Sequence, residues 1–112
     1  MNYIKYFQDN EYIENKKDCW AFVQQVYKDE HNRVLPDYPI VEKPNIATAL
    51  MSNMRVEETD TAEKGCIVYY HNGTTYHAGY CLNSKEFIHK TIKGVKIDKI
   101  PKKSTIYKVL ND

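Results

Sequence analysis

The stretch that decides the fold is residues 17–27, which read Lys-Asp-Cys-Trp-Ala-Phe-Val-Gln-Gln-Val-Tyr. Its apolar side chains recur at intervals of three and four, the pattern of a helix with one buried face. They are Trp20, Val23, Val26 and Tyr27. Asp18 precedes them, and an aspartate there can accept hydrogen bonds from the amides of a first turn. We therefore predict a helix over about residues 18–31, with Cys19 at its start.

The chain on either side of this helix predicts two further, shorter helices. Residues 3–14 have the spacing of a short helix followed by a loop. Pro44-Asn45 opens a second helical pattern that runs to Met54, because proline is well tolerated in a first turn. Residues 57–64 are charged and are interpreted as a loop.

After this loop the pattern changes to short β-prone runs separated by turn signals. Asn72-Gly73 is the strongest of these signals, and Asn83-Ser84 marks another tight turn. The runs cover residues 66–70, 75–82, 86–91, 95–97 and 105–110. N-terminal helices packed on an antiparallel meander of about five strands predict an α+β fold.

Composition and charge exclude several classes of protein. With 112 residues, 42% hydrophobic and 28% charged, the chain has the size and composition of one folded domain over residues 1–112. Sixteen basic and fifteen acidic residues give a net charge of +1 without a basic tract, which argues against a nucleic-acid partner. No run is apolar enough to span a membrane, and the N-terminus lacks a signal-peptide pattern. We expect synthesis in the cytoplasm without a signal peptide.

The three cysteines do not form a disulfide framework or a zinc site. They are Cys19, Cys66 and Cys81, and no Cys-x-x-Cys pair occurs among them. Cys66 and Cys81 lie in apolar strand patterns and are interpreted as core residues. Cys19 lies where a helix begins, and a helix N-terminus favours the reactive thiolate. A buried structural cysteine is the alternative at Cys19, and we predict neither a metal nor a cofactor.

A cysteine nucleophile needs a base, and the base needs a partner that orients it. His77 and His89 are the candidates, because a hairpin around Asn83-Ser84 would bring their strands together. We expect His77 to face the helix and His89 to hold the His77 ring by a hydrogen bond. For either histidine taken alone, a structural role is the favoured interpretation. His31 and His71 are interpreted as surface residues.

Four motifs in order resemble those of a known family. They are Asp18-Cys19-Trp20, His77-Ala78-Gly79-Tyr80-Cys81-Leu82, Phe87-Ile88-His89 and Gly94-Val95-Lys96-Ile97. Together they resemble the NlpC family, also called NlpC/p-sixty, of cell-wall cysteine peptidases. His89 follows His77 by twelve positions, which is similar to the spacing in that family. The Leu35-Pro36-x-Tyr38 segment after the helix is similar to phage tail-associated members.

The resemblance implies a papain-like core and a set of roles for the site. Cys19 would be the nucleophile, His77 the base and His89 the residue that orients the base, while Tyr12 and Asp18 would line the site. The implied reaction is hydrolysis of an amide in a peptidoglycan stem peptide through an acyl-enzyme. The implied bond is the γ-D-glutamyl–diamino-acid link. Action at the cell wall, as a virion component with phage tail proteins as partners, follows from the same resemblance.

Two other functions fit the same residues. One is a phage tail or assembly component that keeps the fold and binds a partner without catalysis. The other is a thiol acyltransferase that uses the same cysteine but transfers the acyl group to an acceptor other than water. The presence of Cys19, His77 and His89 together favours catalysis, because no structural role requires all three.

Overall fold

A computed structural model describes residues 4–8, 11–13, 17–36, 56–71, 73 and 76–110. This part of the chain forms two helices and six strands. In chain order they are α1 (Ile4–Phe7), α2 (Cys19–His31), β1 (Val56–Thr59), β2 (Ile67–His71), β3 (Tyr76–Cys81), β4 (Glu86–Thr91), β5 (Gly94–Lys99) and β6 (Thr105–Val109). The helix predicted after Pro44-Asn45 lies outside the described residues, as does Asn72 of the predicted turn. Across the described ranges, no helix is both long and apolar enough to cross a membrane.

Helix α2 begins and ends where its capping residues predict. Asp18 has an extended backbone, and its carboxylate accepts a hydrogen bond of 3.0 Å from the amide of Ala21. Asn32 ends the helix in the left-handed conformation, at a φ of 49°, and its amide donates to the Tyr27 carbonyl. Asparagine tolerates this conformation better than most residues do. The predicted helix over residues 18–31 is confirmed.

The strands form a single antiparallel sheet in the order β1-β6-β2-β3-β4-β5. Strands β2 to β5 follow one another as a meander, whereas β6 returns to pair with β2 and places Ile67 opposite Tyr107. The α+β prediction is confirmed, but the number of strands is six instead of about five. The charged stretch at residues 57–64 overlaps strand β1 instead of forming only a loop, and Glu57 and Glu58 of β1 are exposed. Charged side chains are common on an edge strand because water solvates them there.

Helix α2 packs on one face of this sheet. The core on that face joins the apolar side of α2 to alternate residues of β2, β3 and β4. Its members include Trp20, Val23, Val26, Tyr69, Ala78, Tyr80 and Ile88. A second, smaller cluster covers the other face and contains Cys66, Val68, Cys81, Phe87 and Ile106. Cys66 and Cys81 are therefore core residues, as predicted.

Two side chains of α2 hold the segment that follows the helix. The indole nitrogen of Trp20 donates to the carbonyl of Pro36 at 2.9 Å. The amide nitrogen of Gln24 donates to the carbonyls of Leu35 and Pro36, at 3.2 Å and 3.0 Å. These bonds satisfy backbone acceptors that lie close to buried surface, and they fix the start of the linker against the helix.

Gly79 allows β3 and β4 to carry large rings on one face. A methyl group at Gly79 would lie 2.3 Å from a carbon of the Phe87 ring and 3.1 Å from Cβ of His89. The space that a side chain would take is therefore filled by its neighbours on β4. The ring of His89 stacks on Phe87 at 4.2 Å between centroids. The space left free at Gly79 therefore also allows His89 to take its position.

Candidate active site

A chain of hydrogen bonds links three side chains on strands β3, β4 and β5. Nε2 of His77 lies 2.6 Å from Nδ1 of His89. Nε2 of His89 lies 2.7 Å from Oδ2 of Asp98. Both histidines are buried, at 7% and 5% exposure, whereas the Asp98 side chain is 54% exposed. The contact expected between His77 and His89 is present, and Asp98 extends it toward solvent.

The sheet register brings these three residues together on one face. His77 on β3 lies opposite Tyr70 on β2, and Asp98 on β5 lies opposite Phe87 on β4. Phe87 precedes His89 by two positions. Residues two apart on a strand share a face, so His89 and Asp98 are diagonal neighbours. The sequence prediction does not include Asp98 because its fourth β-prone run covers only residues 95–97, whereas strand β5 extends to Lys99. A two-residue turn at Ile92-Lys93 pairs Thr91 with Gly94, and this register puts Asp98 on the face of His89.

His77 does not face helix α2, and that part of the prediction is wrong. The helix packs against Ala78 and Tyr80, which alternate with His77 along β3. His77 therefore projects to the opposite face of the sheet, where its ring meets the Tyr70 ring edge-to-face at 5.5 Å.

Cys19 occupies the N-terminal end of α2. Burial raises the pKa of Tyr69 and of Tyr70, and the charge of the nearby Cys19 side chain raises both further. Tyr69 and Tyr70 are consecutive and project to opposite faces, so the charge of Cys19 acts on side chains of both faces. Cys19 is itself 4% exposed.

Burial keeps both imidazoles neutral near pH 7. Burial, together with a charge on the adjacent His89, lowers the pKa of His77 to about 4. Burial also lowers the pKa of His89, and nearby Lys96 acts in the same direction. The hydrogen bond and charge of Asp98 oppose that shift at His89. A neutral imidazole is the form that can accept a proton from a thiol.

The histidines open into a groove with a volume of about 330 Å³, which we call the histidine groove. Its lining consists of aromatic, hydroxyl and cationic side chains with one aliphatic residue. They are Tyr12, Tyr70, Tyr76, His77, His89, Thr91, Ile92, Lys93 and Lys96. Tyr12 thus lies in the same groove as both histidines. Asp18 is buried at the start of α2, where it caps the helix.

A larger cavity, of about 610 Å³, lies elsewhere on the molecule. Its lining includes Asp60, Lys85, Lys99 and Lys102 but none of the cysteines or histidines of the described chain. Cys19 lines neither space, but of the two only the histidine groove contains imidazoles that could act as a base.

The other two histidines lie outside this groove, exposed as predicted. His31 ends α2, and its Nε2 lies 2.9 Å from the hydroxyl of Tyr80. His71 ends β2, and its Nδ1 accepts a hydrogen bond of 3.2 Å from the amide of Gly73. Over the described residues, no three His, Cys, Asp or Glu side chains converge as metal ligands would.

The structure joins two buried imidazoles and a carboxylate in one hydrogen-bond chain, on an α+β fold in which helix α2 packs on an antiparallel sheet. The sequence model of the NlpC/P60 family matches residues 6–111, so the chain belongs to the NlpC/P60 family. A comparison with curated proteins returns no match. Members of this family are generally cysteine peptidases or amidases that act on the peptides of the bacterial cell wall. The fold is compatible with the papain-like core of the family.

We expect Cys19 to react with iodoacetamide at pH 6 about tenfold faster than Cys66, because the start of a helix favours the thiolate. Cys66 is the matched control, since it has the same 4% exposure. Burial raises the pKa of Cys81 to about 12, so this thiol should react last. Peptide mapping by mass spectrometry would give the three rates. Equal rates at Cys19 and Cys66 would contradict the assignment of a reactive thiol.

Stability should decrease as the pH falls from about 6.5 toward 4. Histidine in an unfolded chain has a pKa near 6.5, whereas that of folded His77 is about 4. Between these values the unfolded chain binds a proton that the folded chain does not, so acid favours unfolding, by up to about 3 kcal/mol. The free energy of unfolding, measured in urea at pH 7.5, 6 and 5, should depend less on pH in His77→Gln than in the wild type. The exposed-site control, His71→Gln, should keep the wild-type dependence, and equal slopes in all three proteins would refute this prediction.

Proposed function

We propose that this chain hydrolyses amide bonds in the stem peptides of bacterial peptidoglycan through an acyl-enzyme on Cys19, with residues 1–112 acting as a single catalytic domain. The observation that carries the proposal is the His77–His89–Asp98 hydrogen-bond chain in a member of a cell-wall peptidase family. Two buried, neutral imidazoles in contact are a costly arrangement for a merely structural role. They suit a base and its orienting partner.

In the first half of the reaction, His77 takes the thiol proton on Nδ1 as the sulfur of Cys19 attacks the carbonyl carbon. The tetrahedral intermediate then collapses. His77 gives the proton to the leaving nitrogen, the C–N bond breaks, and a thioester to Cys19 remains. In the second half, water attacks the thioester as His77 accepts its proton, the C–S bond breaks, and the proton returns to sulfur. No cofactor is needed for these steps.

The N-terminus of α2 supplies the electrostatic stabilisation. Its backbone dipoles point their positive end at Cys19, which favours both the thiolate and the oxyanion that forms beside it. Asp18 uses one carboxylate oxygen to cap Ala21 and so keeps the first turn of the helix in place. Low exposure at Cys19 strengthens these interactions, because little water screens them.

The histidine groove supports the γ-D-glutamyl–diamino-acid link as the bond that is cleaved. In a γ-linked glutamate the α-carboxylate stays free and lies a few bonds from the scissile amide. Lys93 and Lys96 line the groove on the side of His89 and provide positive charge for such a carboxylate. Tyr12 and Tyr76 provide flat, amphipathic surface for the rest of the peptide.

Incubation of the purified protein with peptidoglycan of several types should release new stem-peptide fragments, detectable by mass spectrometry. Cys19→Ala should lower the rate by about a thousandfold or more, since no other nucleophile is expected to replace the thiol. Cys66→Ala, which removes a thiol from the core, should still cleave. Failure of the wild type on every wall type would favour a binding component of a phage tail. Transfer of the acyl group to an added amine, with no hydrolysis, would indicate an acyltransferase.

We also propose that the enzyme reaches the cell wall as a phage virion component, with tail proteins as partners. The support is the resemblance of the Asp18-Cys19-Trp20 start, and of the segment after α2, to tail-associated members. In the structure these two parts are joined, because Trp20 donates to the carbonyl of Pro36. Mass spectrometry of purified virions should detect the chain in stoichiometric amount. Its presence in the lysate alone would contradict this route of delivery.

A further inference from the structure

We infer that Asp98 is a positioning residue that sets the tautomers of His89 and His77 and leaves Nδ1 of His77 as the basic nitrogen. The inference concerns the state of the two rings, and only its consequence for catalysis rests on the proposed function. It follows from the two hydrogen bonds of the chain, taken in order from the solvent side.

The first step is the bond between Asp98 and His89. An ionised carboxylate has no hydrogen to donate, so the 2.7 Å contact requires the hydrogen to be on Nε2 of His89. A neutral imidazole carries one hydrogen on its two nitrogens, and this bond therefore leaves Nδ1 of His89 as an acceptor.

The second step is the bond between the two rings. With Nδ1 of His89 as acceptor, the 2.6 Å contact requires His77 to donate from Nε2. The remaining nitrogen of His77, Nδ1, then keeps its lone pair. A carboxylate on β5 has thus determined which nitrogen of a ring on β3 can take a proton, through a histidine on the strand between them.

Packing holds the rings in the orientation that these bonds need. Phe87 stacks on His89 at an interplanar angle of 19°, and Tyr70 meets the edge of His77. Neither histidine is more than 7% exposed, so water competes little for their nitrogens. The rings therefore have few orientations other than the one that the hydrogen bonds select.

The exposure of Asp98 decides how this residue acts. Its side chain is 54% exposed, so solvent screens its charge, and a large electrostatic effect on the reaction is not expected. Selection of the tautomer does not depend on that screening, because it requires only an acceptor at Nε2 of His89. We therefore expect Asp98→Asn to reduce the rate by about tenfold, less than the ~10⁴-fold loss caused by the corresponding change at a buried triad aspartate.

Asparagine tests this role because it can present either an oxygen or an NH₂ group. If the NH₂ group donates to Nε2 of His89, the hydrogen of His89 must move to Nδ1. That hydrogen would then oppose the Nε2 hydrogen of His77. His77 can restore the contact only by accepting at Nε2, which places its hydrogen on Nδ1 and removes the basic nitrogen. Asp98→Asn should therefore populate the wrong tautomer of both rings.

The ring states can be measured without any activity, by ¹⁵N–¹H NMR of the imidazoles in the Cys19→Ala protein. We expect Nε2–H for both His77 and His89 with Asp98 present, and a shift toward Nδ1–H in Asp98→Asn. Glu57→Gln is the control, because it removes an exposed carboxylate from β1, at the other edge of the sheet. With Cys19 present, Asp98→Asn should lower kcat about tenfold and leave KM unchanged, since Asp98 does not line the histidine groove.

Asp98→Ala offers no acceptor at all, so tautomers that stay unchanged in both Asp98→Asn and Asp98→Ala would overturn the inference. Shifted tautomers with a wild-type kcat would overturn its consequence for catalysis. A wild-type protein that cleaves no peptidoglycan would refute the proposed function instead. In that case the NMR result alone would still decide whether Asp98 sets the state of the two rings.

Discussion

The contact between the imidazoles of His77 and His89 is the constraint on which the site depends. Their nitrogens are 2.6 Å apart, a distance that needs one hydrogen and one lone pair between them. Two charged rings cannot share such a contact, because each nitrogen would then carry a hydrogen. Burial acts in the same direction, since it lowers the pKa of both rings. The pair therefore accepts one proton and readily gives it back, as a base that later serves as an acid must.

This contact in turn restricts the sheet around it. The two rings are diagonal neighbours on β3 and β4, and His89 stacks on Phe87, which fills the place of a side chain at Gly79. A slip of one residue between β3 and β4 would move His89 to the other face, where α2 packs. The smaller core on the histidine side, with Cys66 and Cys81, supports the strands on the face that carries the site.

Features specified by local patterns could be predicted from the sequence, and features specified by register could not. Helix α2 follows from apolar spacing and two capping residues, and the strands that carry His77 and His89 follow from β-prone runs between turn signals. Strand β1 was missed because an edge strand can be as polar as a loop. Asp98 was missed because its place beside His89 depends on a two-residue turn at Ile92-Lys93, which no strong turn dipeptide marks.

The exposed fraction of a cysteine side chain does not by itself identify the reactive thiol. Cys19 and Cys66 are equally buried, at 4% exposure, yet their surroundings differ in kind. Cys66 packs among apolar side chains of the sheet. Cys19 lies at the positive end of helix α2, and its charge acts on Tyr70, whose ring contacts His77. Burial strengthens electrostatic interactions because little water screens them. At Cys19, low exposure therefore increases the stabilisation that the helix N-terminus gives to a thiolate.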